Sequence, residues 1–458
     1  MTSPEAQPKP HFTAENYLDV PHQLVEDLAD VGALSFWSYE KGLYPASDLD
    51  EKTGEETGMN MAWLRDNAHV IAALYDTGFD TPGAIRAGEA MLQVLKNSET
   101  VLDAAISKPQ DIRNRLTVRV DGDTLTPDDE PRIQNDSTGY ALWITSKLVL
   151  AGAIEPTESS LQVIAKTAKY LGAIEYWHDP DDSHWEEDRR IHLSSIGVAM
   201  TGLIEAQKLL AVHRIDPGIA MTSIIEQGKR AMHDIWSRGY TDHPDHPVEE
   251  HDRSSSHWPR ELTVNEELRE ALENFRMRPR PHDAALLFLV EPLNAVDPEM
   301  AHSMVQDIEQ HLVRDHGTAR YPGDTYWSPH FDDLVKTEER TQAAEGRTEA
   351  RNLKAAGIAL THSEAQWTLF DPLLSSYYGK RFTQTNDAAD REKQLRYLNR
   401  SLSQLAGTDH GPRLPEAYYL KHDDDTGKNR WSPNPHTPLL WSQANLLRAL
   451  KVFEDTTE

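Results

Sequence analysis

The chain of 458 residues contains no cysteine, which excludes disulfide bonds, thiolate metal sites and cysteine nucleophiles. Long hydrophobic runs are also lacking, and no stretch approaches the length of a membrane span. The first twenty residues lack the basic and apolar segments of a secretory signal. We therefore expect a cytoplasmic protein without a membrane partner.

Basic residues are few relative to acidic ones, with 46 Lys and Arg against 75 Asp and Glu and a formal net charge of -29. This charge repels phosphate backbones and anionic lipids, so nucleic acid and membrane surfaces are not expected as partners. A neutral small-molecule substrate fits better. The acidic balance is equally typical of adaptation to salt, and the sequence leaves that alternative and the oligomeric state open.

Alternating strand patterns are scarce, and a 3.6-residue period dominates instead. Ser194 or Ser195 is expected to cap the helix over 193–213, whose apolar residues repeat on one buried face. In all, the pattern predicts helices over approximately residues 22–39, 61–77, 82–97, 136–152, 158–176, 193–213, 217–237, 263–275, 282–292, 298–314, 362–378, 389–406 and 436–454.

Three segments depart from this helical pattern. Residues 116–126 predict a β-hairpin with a type I′ turn at Asp121-Gly122. The Pro-, Ser- and charge-rich run 241–260 predicts a long surface loop. Residues 1–20 are expected to form a flexible extension. Since no linker divides the chain, we predict one domain over residues 1–458.

Two motifs place polar side chains near predicted helix starts. In the first, Arg65 and Asp66 follow Trp63 and could grip sugar hydroxyls, although Asp66 could equally be a helix cap beside a solvated Arg65. In the second, Gln134 and Asp136 precede another helix, where Asp136 could again be only an N-cap.

A third motif, Trp185-Glu186-Glu187, sets an aromatic ring beside carboxylates, and the neighbouring acids at 181, 182, 187 and 188 are expected to raise the proton affinity of at least one of them. A solvated acidic loop is the alternative.

Two further motifs lie toward the C-terminus. Residues 320–327, which include Arg320 and Asp324, offer a rigid turn with rings that could stack on sugars, or a surface turn whose rings fill the core. Pro415-Glu416 isolates a carboxylate suited to holding a water, or to a salt bridge with Arg413. Inverting glycoside hydrolysis needs one protonated and one ionised carboxylate, roughly 6.5–9.5 Å apart.

Metal sites are not expected. The histidines His243, His246 and His251 lie in a proline-broken run without the spacing of a zinc site. Residues 423–429 resemble a calcium loop but lack its distal glutamate, so a solvated turn is the better interpretation.

The motifs, taken in chain order, resemble glycoside hydrolase family 15, the glucoamylase family, and especially its branch similar to the phosphorylase kinase α and β subunits. The resemblance rests on Ala62-Trp-Leu-Arg-Asp-Asn67, Trp185-Glu-Glu187, Leu193-Ser-Ser-Ile-Gly197, Ala319-Arg-Tyr-Pro-Gly-Asp-Thr-Tyr326, Glu364-Ala-Gln-Trp367, Leu414-Pro-Glu416 and Leu440-Trp-Ser-Gln443.

The resemblance implies an all-α (α/α)6 toroid with long loops. It implies that Glu186 is the general acid and Glu416 the base that activates water. The substrate-binding residues that it implies are Trp63, Arg65, Asp66, Gln134, Asp136, Trp185, Glu187, Arg320, Asp324 and Trp367. No cofactor is implied.

The chain also departs from the family pattern. Met59 stands where secreted glucoamylases usually place a tyrosine, and Pro-Glu-Ala replaces a common Ser-Glu-Gln around the base. No starch-binding module is present, so granular starch is not an expected substrate. We predict an inverting exo-acting α-glucosidase that releases β-glucose from a soluble α-glucan oligosaccharide or a small α-glucoside. A non-catalytic sugar-binding regulator and a trehalase-like hydrolase remain alternatives.

Overall fold

The computed structural model describes residues 12–47, 59–116, 119–127, 133–186, 189–239, 282–324, 326–327, 363–423 and 428–457. Within these ranges the α-helices are α1 Pro21–Asp30, α2 Leu64–Thr77, α3 Thr81–Asn97, α4 Glu99–Ser107, α5 Asn135–Leu150, α6 Glu158–Ala173, α7 Leu193–His213, α8 Met221–Gly239, α9 Leu287–Val290, α10 Pro298–His311, α11 Phe370–Thr385, α12 Ala388–Ser403 and α13 Leu440–Asp455.

Twelve of these helices form two concentric rings. The inner helices α2, α5, α7, α9, α11 and α13 contact one another in that order, and α13 closes the ring against α2. The outer helices α1, α3, α6, α8, α10 and α12 alternate with them along the chain and pack on their outside. The predicted (α/α)6 toroid is therefore confirmed.

Burial follows the two rings. The inner helix α5 is buried at every position from Asn135 to Ser146, and α2 is buried from Leu64 to Leu74. Outer helices such as α3 alternate buried and exposed residues, as amphipathic helices at a surface do. The core therefore lies inside the inner ring and between the two rings.

Helix α7 is long and apolar enough to cross a membrane by length and composition, contrary to the expectation that no stretch approaches a span. However, 67% of its most apolar window is buried inside the protein. It packs against α5, α6 and α8. We conclude that α7 is a core helix of the toroid.

Close approach of the inner helices α5 and α7 depends on glycine. A Cβ atom on Gly139 would lie 2.6 Å from Ala199 Cα, and one on Gly202 would collide with the carbonyl oxygen of Gly139. These obstacles are backbone atoms, so the helices would have to separate to admit a side chain.

We expect Gly139→Ala to destabilise the protein by about 1–3 kcal/mol, because overpacking forces a backbone shift. Chemical denaturation of the two proteins measures the difference. Gly407→Ala is the matched control, since a Cβ atom there meets no atom within 4 Å and the residue lies in a short strand. Equal stability of the Gly139 variant and the control would show that α5 and α7 can separate at little cost.

Short strands surround one end of the toroid. The strands β1 Ala62–Trp63, β2 Arg119–Asp121 and β3 Thr126–Pro127 form one antiparallel sheet in the order β1-β2-β3. A second sheet has the order β4-β7-β8 and a third pairs β5 with β6; their strands are β4 Gln366–Trp367, β5 Ala406–Thr408, β6 Gly411–Arg413, β7 Ala417–Asp423 and β8 Lys428–Pro433. The hairpins β5-β6 and β7-β8 were not predicted from the sequence.

The predicted hairpin near Gly122 is present, but its turn is different. Asp121 pairs with Thr126, so residues 122–125 form a four-residue loop and the predicted two-residue type I′ turn is wrong. The Asp121 carboxylate accepts hydrogen bonds from the backbone amides of Asp123 and Thr124, which stabilises the longer loop. Leu125 takes the left-handed conformation at its end, with φ of 59°.

Several predicted helix ends are also wrong. The helix expected over 22–39 ends at Asp30, and the segment 282–292 divides into a 3-10 helix, Ala284–Leu286, and the short α9. Helix α11 begins at Phe370 rather than near 362, and α4 was not predicted. The predicted helix 263–275 and the predicted loop 241–260 lie outside the described residues.

The N-cap expected for α7 is also wrong. His192 occupies that position with extended backbone, and Ser194 and Ser195 lie inside the first turn. The described part of the N-terminal segment is folded as well: Ala14, in the 3-10 helix Ala14–Tyr17, is buried and its amide donates to Asn399 Oδ1 at 2.7 Å. The described residues 12–20 therefore do not fit the flexible extension expected over residues 1–20.

Candidate active site

Inner-helix N-termini converge on one pocket. Arg65 and Asp66 lie in the first turn of α2, Trp441 lies in the first turn of α13, and Trp367 lies shortly before α11. All four line the pocket. Helix N-termini carry partial positive charge, which favours carboxylates at this end of the toroid.

The pocket combines carboxylates with aromatic rings. It brings together eight of the residues that the sequence nominated and eight others. The nominated ones are Trp63, Arg65, Asp66, Trp185, Glu186, Arg320, Trp367 and Glu416. The others are Ala46, Met59, His184, Tyr326, Trp327, His436, Leu439 and Trp441. Such a lining suits a ligand with apolar faces and a rim of hydroxyl groups.

Arg65 is surrounded by carboxylates. Its Nε lies 3.4 Å from Asp66 Oδ2, its Nη2 3.4 Å from Glu186 Oε1 and its Nη1 3.7 Å from Asp136 Oδ2. One guanidinium group therefore faces three acidic side chains. The local charge is negative unless two of them take a proton.

Proton affinity is raised within this cluster. Burial raises the pKa of Asp66 to about 6, with repulsion from Glu186 and Glu416 adding to it and Arg65 opposing it. Burial likewise raises the pKa of Asp136 to about 6, again opposed by Arg65 and reinforced by Glu186. These two groups hold protons more tightly than solvated aspartates do.

Of the acidic residues that neighbour Glu186 in the sequence, Asp181 does not face the pocket. Burial, with repulsion from Asp136 as the next cause, raises the pKa of Asp181 well above its usual range. The Asp181 carboxylate binds the Asn135 amide rather than the pocket. Glu187, a nominated binding residue, lies outside the described residues.

Glu186 projects into the pocket from a strained turn over residues 183–186. Both Ser183 and Glu186 have left-handed backbone, with φ of 60° and 56°. Such conformations cost side-chain-bearing residues about 1–3 kcal/mol and concentrate at functional sites. Trp63 Nε1 donates to Glu186 Oε1 at 2.7 Å, which fixes the carboxylate toward α2.

Gln134 connects this turn to Arg65. Its Nε2 donates to the carbonyl oxygen of Ser183 at 2.7 Å, and its Oε1 accepts from Arg65 Nη1 at 3.3 Å. Gln134 and Asp136 are buried and do not line the pocket. Their positions support the turn that carries Glu186 and the arginine beside it.

The Trp185 side chain is anchored by a hydrogen bond to a segment distant in sequence. Its Nε1 donates to Asp283 Oδ1 at 2.8 Å, and the same oxygen accepts the amide of Ala285 at 3.0 Å. Asp283 is the N-cap of the 3-10 helix Ala284–Leu286. The ring beside Glu186 is therefore anchored to the start of the segment that leads into α9.

Arg320 forms a fixed cation among rings. Asp324 binds it through two hydrogen bonds of 2.6 Å, and both side chains are buried. The guanidinium carbon lies 5.3 Å from the ring centroid of Trp185, 4.8 Å from that of Tyr326 and 5.2 Å from that of Trp367. Asp324 does not line the pocket and orients Arg320 from behind.

Glu416 lies immediately before β7. Its carbonyl oxygen accepts the amide of Thr368, and its amide donates to the carbonyl oxygen of His436 at 2.8 Å. The adjacent pairing of Trp367 with Ala417 joins β4 to β7. The carboxylate therefore rests on a rigid backbone.

Three donors surround one oxygen of Glu416. Tyr326 Oη donates at 2.9 Å and Asn434 Nδ2 at 2.6 Å, while His436 Nδ1 lies 2.8 Å away and donates when it carries the ring proton. All three contact Oε2. Among the described residues no group donates a hydrogen bond to Oε1, which is the oxygen left for a water or a substrate.

Opposing effects set the protonation of Glu416. Burial raises its pKa, but the charge of His436 and the hydrogen bonds from His436, Tyr326 and Asn434 outweigh burial and lower the pKa below its usual value. Glu416 is therefore ionised at neutral pH. An ionised carboxylate is the form that a general base requires.

We expect His436→Ala to move the acidic limb of the kcat/KM profile to higher pH. Loss of this partner raises the pKa of Glu416, so the carboxylate becomes protonated sooner as pH falls. Rates measured between acid and neutral pH test the shift. His302→Ala, on the outer helix α10, should leave the limb unchanged. An unmoved limb in the His436 variant would show that ionisation of Glu416 does not set the acidic limb.

The structure does not support the helix-cap and salt-bridge alternatives for these acidic residues. Trp63 and Gln134 occupy the N-cap positions of α2 and α5, so Asp66 and Asp136 are not caps. Glu416 is held by the three donors above rather than by Arg413, whose Nη1 donates to the carbonyl oxygen of Pro412.

Sequence reasoning missed three pocket residues of consequence. His436 fell inside a predicted helix that in fact begins only at Leu440. Tyr326 was expected only as one of the rings of residues 320–327 that could stack on sugars, and Trp441 lay inside a quoted motif without an assigned role. Their sequence positions could have identified them, because many pocket residues lie just before or just after the first residue of an inner helix. Met59 lies in the pocket, and the phenol that contacts Glu416 comes from Tyr326.

Comparisons with known proteins agree with the fold and the motifs. The model of the family described as glycosyl hydrolases family 15 matches residues 28–448. The chain therefore belongs to glycoside hydrolase family 15 and is a glycoside hydrolase. A search of curated proteins found no match.

Solved structures are similar in fold at low identity. A glucoamylase from Saccharomycopsis fibuligera has 15% identity and a TM-score of 0.58, with 100% of this chain and 98% of that chain covered. A wild-type glycosidase has 19% identity and a TM-score of 0.60, with 96% and 98% covered. A glycosidase variant solved in complex with glucose has the same four values. These likenesses establish the toroid.

Proposed function

We propose that the protein is an inverting, exo-acting α-glucosidase that removes terminal glucose from soluble α-glucan oligosaccharides or a small α-glucoside. Glu186 gives a proton to the leaving oxygen, and Glu416 activates the water that attacks the anomeric carbon from the opposite face. The product is β-glucose. We place this activity in the cytoplasm.

The observation that carries the proposal is the unequal environment of two carboxylates that line one pocket. Glu416 is held ionised by His436 and two neutral donors. Glu186 belongs to the carboxylate cluster around Arg65, whose other members hold protons unusually tightly. An acid and a base require this kind of difference.

Exo action is supported by the floor of the pocket. Trp441 lines the pocket, and below it Phe288 and His69 pack against its ring at centroid distances of 4.8 Å and 4.7 Å. Phe288 and His69 are fully buried in the core of the toroid. A pocket closed at its inner end admits the terminus of a sugar chain rather than its middle.

Sugar binding within the pocket follows from the same contacts. Arg65 and Asp66 supply a cation and a carboxylate in the first turn of α2, which can bind adjacent hydroxyl groups. Trp185, Trp367 and Trp63 supply ring faces for stacking. Arg320, held by Asp324, supplies a further donor.

Incubation with maltose, isomaltose, trehalose and maltoheptaose tests the substrate class and exo action. We expect glucose as the small product and stepwise shortening of maltoheptaose. Early products of mixed length would contradict exo action. Cleavage of trehalose alone would instead support a trehalase. Parallel reactions with Glu416→Gln protein exclude a contaminating enzyme.

A further inference from the structure

Three metal-ligating side chains meet away from the pocket. His282 lies just before the 3-10 helix Ala284–Leu286, while Asp307 and His311 lie one turn apart on the outer helix α10. One ligand atom from each residue lies within 4.8 Å of the other two. None of the three lines the pocket.

We propose that His282, Asp307 and His311 bind one divalent transition-metal ion, with zinc the best fit. A set of two imidazoles and one carboxylate suits zinc, whereas magnesium and calcium prefer ligand sets made of oxygen atoms. Since the chain contains no cysteine, thiolates do not compete for the ion.

The distances suit such a site. His282 Nδ1 lies 2.8 Å and His311 Nε2 3.9 Å from Asp307 Oδ1. Bonds of about 2.0–2.1 Å to a tetrahedral zinc ion would place ligand atoms roughly 3.3 Å apart. The observed separations lie on both sides of that value, and rotation of the two stacked imidazole side chains would bring the three atoms around an ion.

Burial of Asp307 independently supports the binding of a cation here. The residue is only 8% exposed. Its Oδ2 is buried and accepts no hydrogen bond among the described residues. A buried carboxylate oxygen without a donor is costly, and a bound cation would compensate for it. The imidazole rings of His282 and His311 lie in contact beside this carboxylate, with centroids 3.9 Å apart and 18° between their planes.

The proposed metal site is connected to the pocket through the residue after His282. His282 immediately precedes Asp283, whose carboxylate binds the Trp185 ring at 2.8 Å. An ion bound by His282 and α10 fixes the chain at the point from which Trp185 is anchored. Zinc would therefore stabilise the fold and stiffen one wall of the pocket without entering it.

Calorimetric titration of chelator-treated full-length protein with zinc chloride tests the proposal. We expect one equivalent to bind, and cobalt in its place to give the visible absorption of a tetrahedral site. Zinc should raise the melting temperature. Asp307→Asn and His311→Gln should each weaken binding on the order of 100-fold and abolish the thermal shift, since each removes a ligand.

The triple variant His243→Ala, His246→Ala, His251→Ala is the control, because these residues are the other histidine group that the sequence offers. It should bind zinc as the wild type does. Circular dichroism verifies that each variant folds. Absence of saturable zinc binding, retention of it in both ligand variants, or its loss in the triple variant would each overturn the proposal.

Discussion

Glu186→Gln should lower turnover of maltooligosaccharides by about 10²–10⁴-fold while preserving the fold. The substitution removes the proton that the leaving oxygen needs but keeps the size of the side chain. The amide can still accept the hydrogen bond from Trp63, so the strained turn should persist. Steady-state rates together with the melting temperature of both proteins measure the effect.

A substrate with a good leaving group separates this role from general damage. Fluoride departs from α-glucosyl fluoride with little need of a proton, so the Glu186 variant should retain most of its activity on that substrate. Glu309→Gln is the matched control, because Glu309 is a partly buried carboxylate that binds Tyr378, Tyr397 and Lys393 on the outer side of the toroid. Equal losses on both substrates would exclude Glu186 as the acid.

Replacement of Glu416 should lower turnover on every substrate, α-glucosyl fluoride included. We expect Glu416→Gln to lose about 10²–10⁴-fold, since no other group then accepts the proton of the attacking water. Glu416→Ala also leaves space beside Tyr326 and His436, where azide can take the position of the water. Added azide should therefore restore activity and yield β-glucosyl azide.

The configuration of the azide product tests the position assigned to Glu416. An α-glucosyl azide product would show that Glu416 does not lie on the face opposite the leaving oxygen, contrary to its assigned role. Full activity of Glu416→Gln without azide would remove Glu416 from the mechanism. Asn434→Ala is a useful comparison, because it removes one donor to the carboxylate but leaves the base in place.

The fold was predictable where local pattern and packing agree. Helix α7 has both predicted ends, because it is apolar and bounded by polar residues. Helix α11 was placed too early, since residues before Phe370 form β4 through pairing with β7, about fifty residues further along the chain. Strands of two or three residues carry no alternating pattern, so local sequence could not reveal them.

The sequence predicted most charged residues of the site but few of the residues that hold them in position. Glu186 and Glu416 were nominated through motif order, and the fold brings both to one pocket. The hydroxyl of Tyr326 reaches Glu416 across 90 residues, and Asp283 reaches Trp185 across 98. Contacts of that kind depend on the closed ring of helices, and no local spacing encodes them.

The sequence alone could not distinguish helix-capping aspartates from aspartates of the pocket cluster. Asp66 and Asp136 each lie in a first helical turn, where acidic residues are common for electrostatic reasons alone. In the toroid these turns face the same arginine, and burial raises the pKa of both groups to about 6. Convergence of inner-helix N-termini thus converts an ordinary helix preference into a carboxylate cluster.

Proton NMR of the anomeric signals during the first minutes of maltooligosaccharide hydrolysis tests the central claim most directly. Attack by a water that Glu416 activates, opposite the oxygen protonated by Glu186, predicts that β-glucose appears first and converts to the α-anomer only by mutarotation. Initial release of α-glucose would contradict the inverting mechanism and the roles assigned to the two carboxylates.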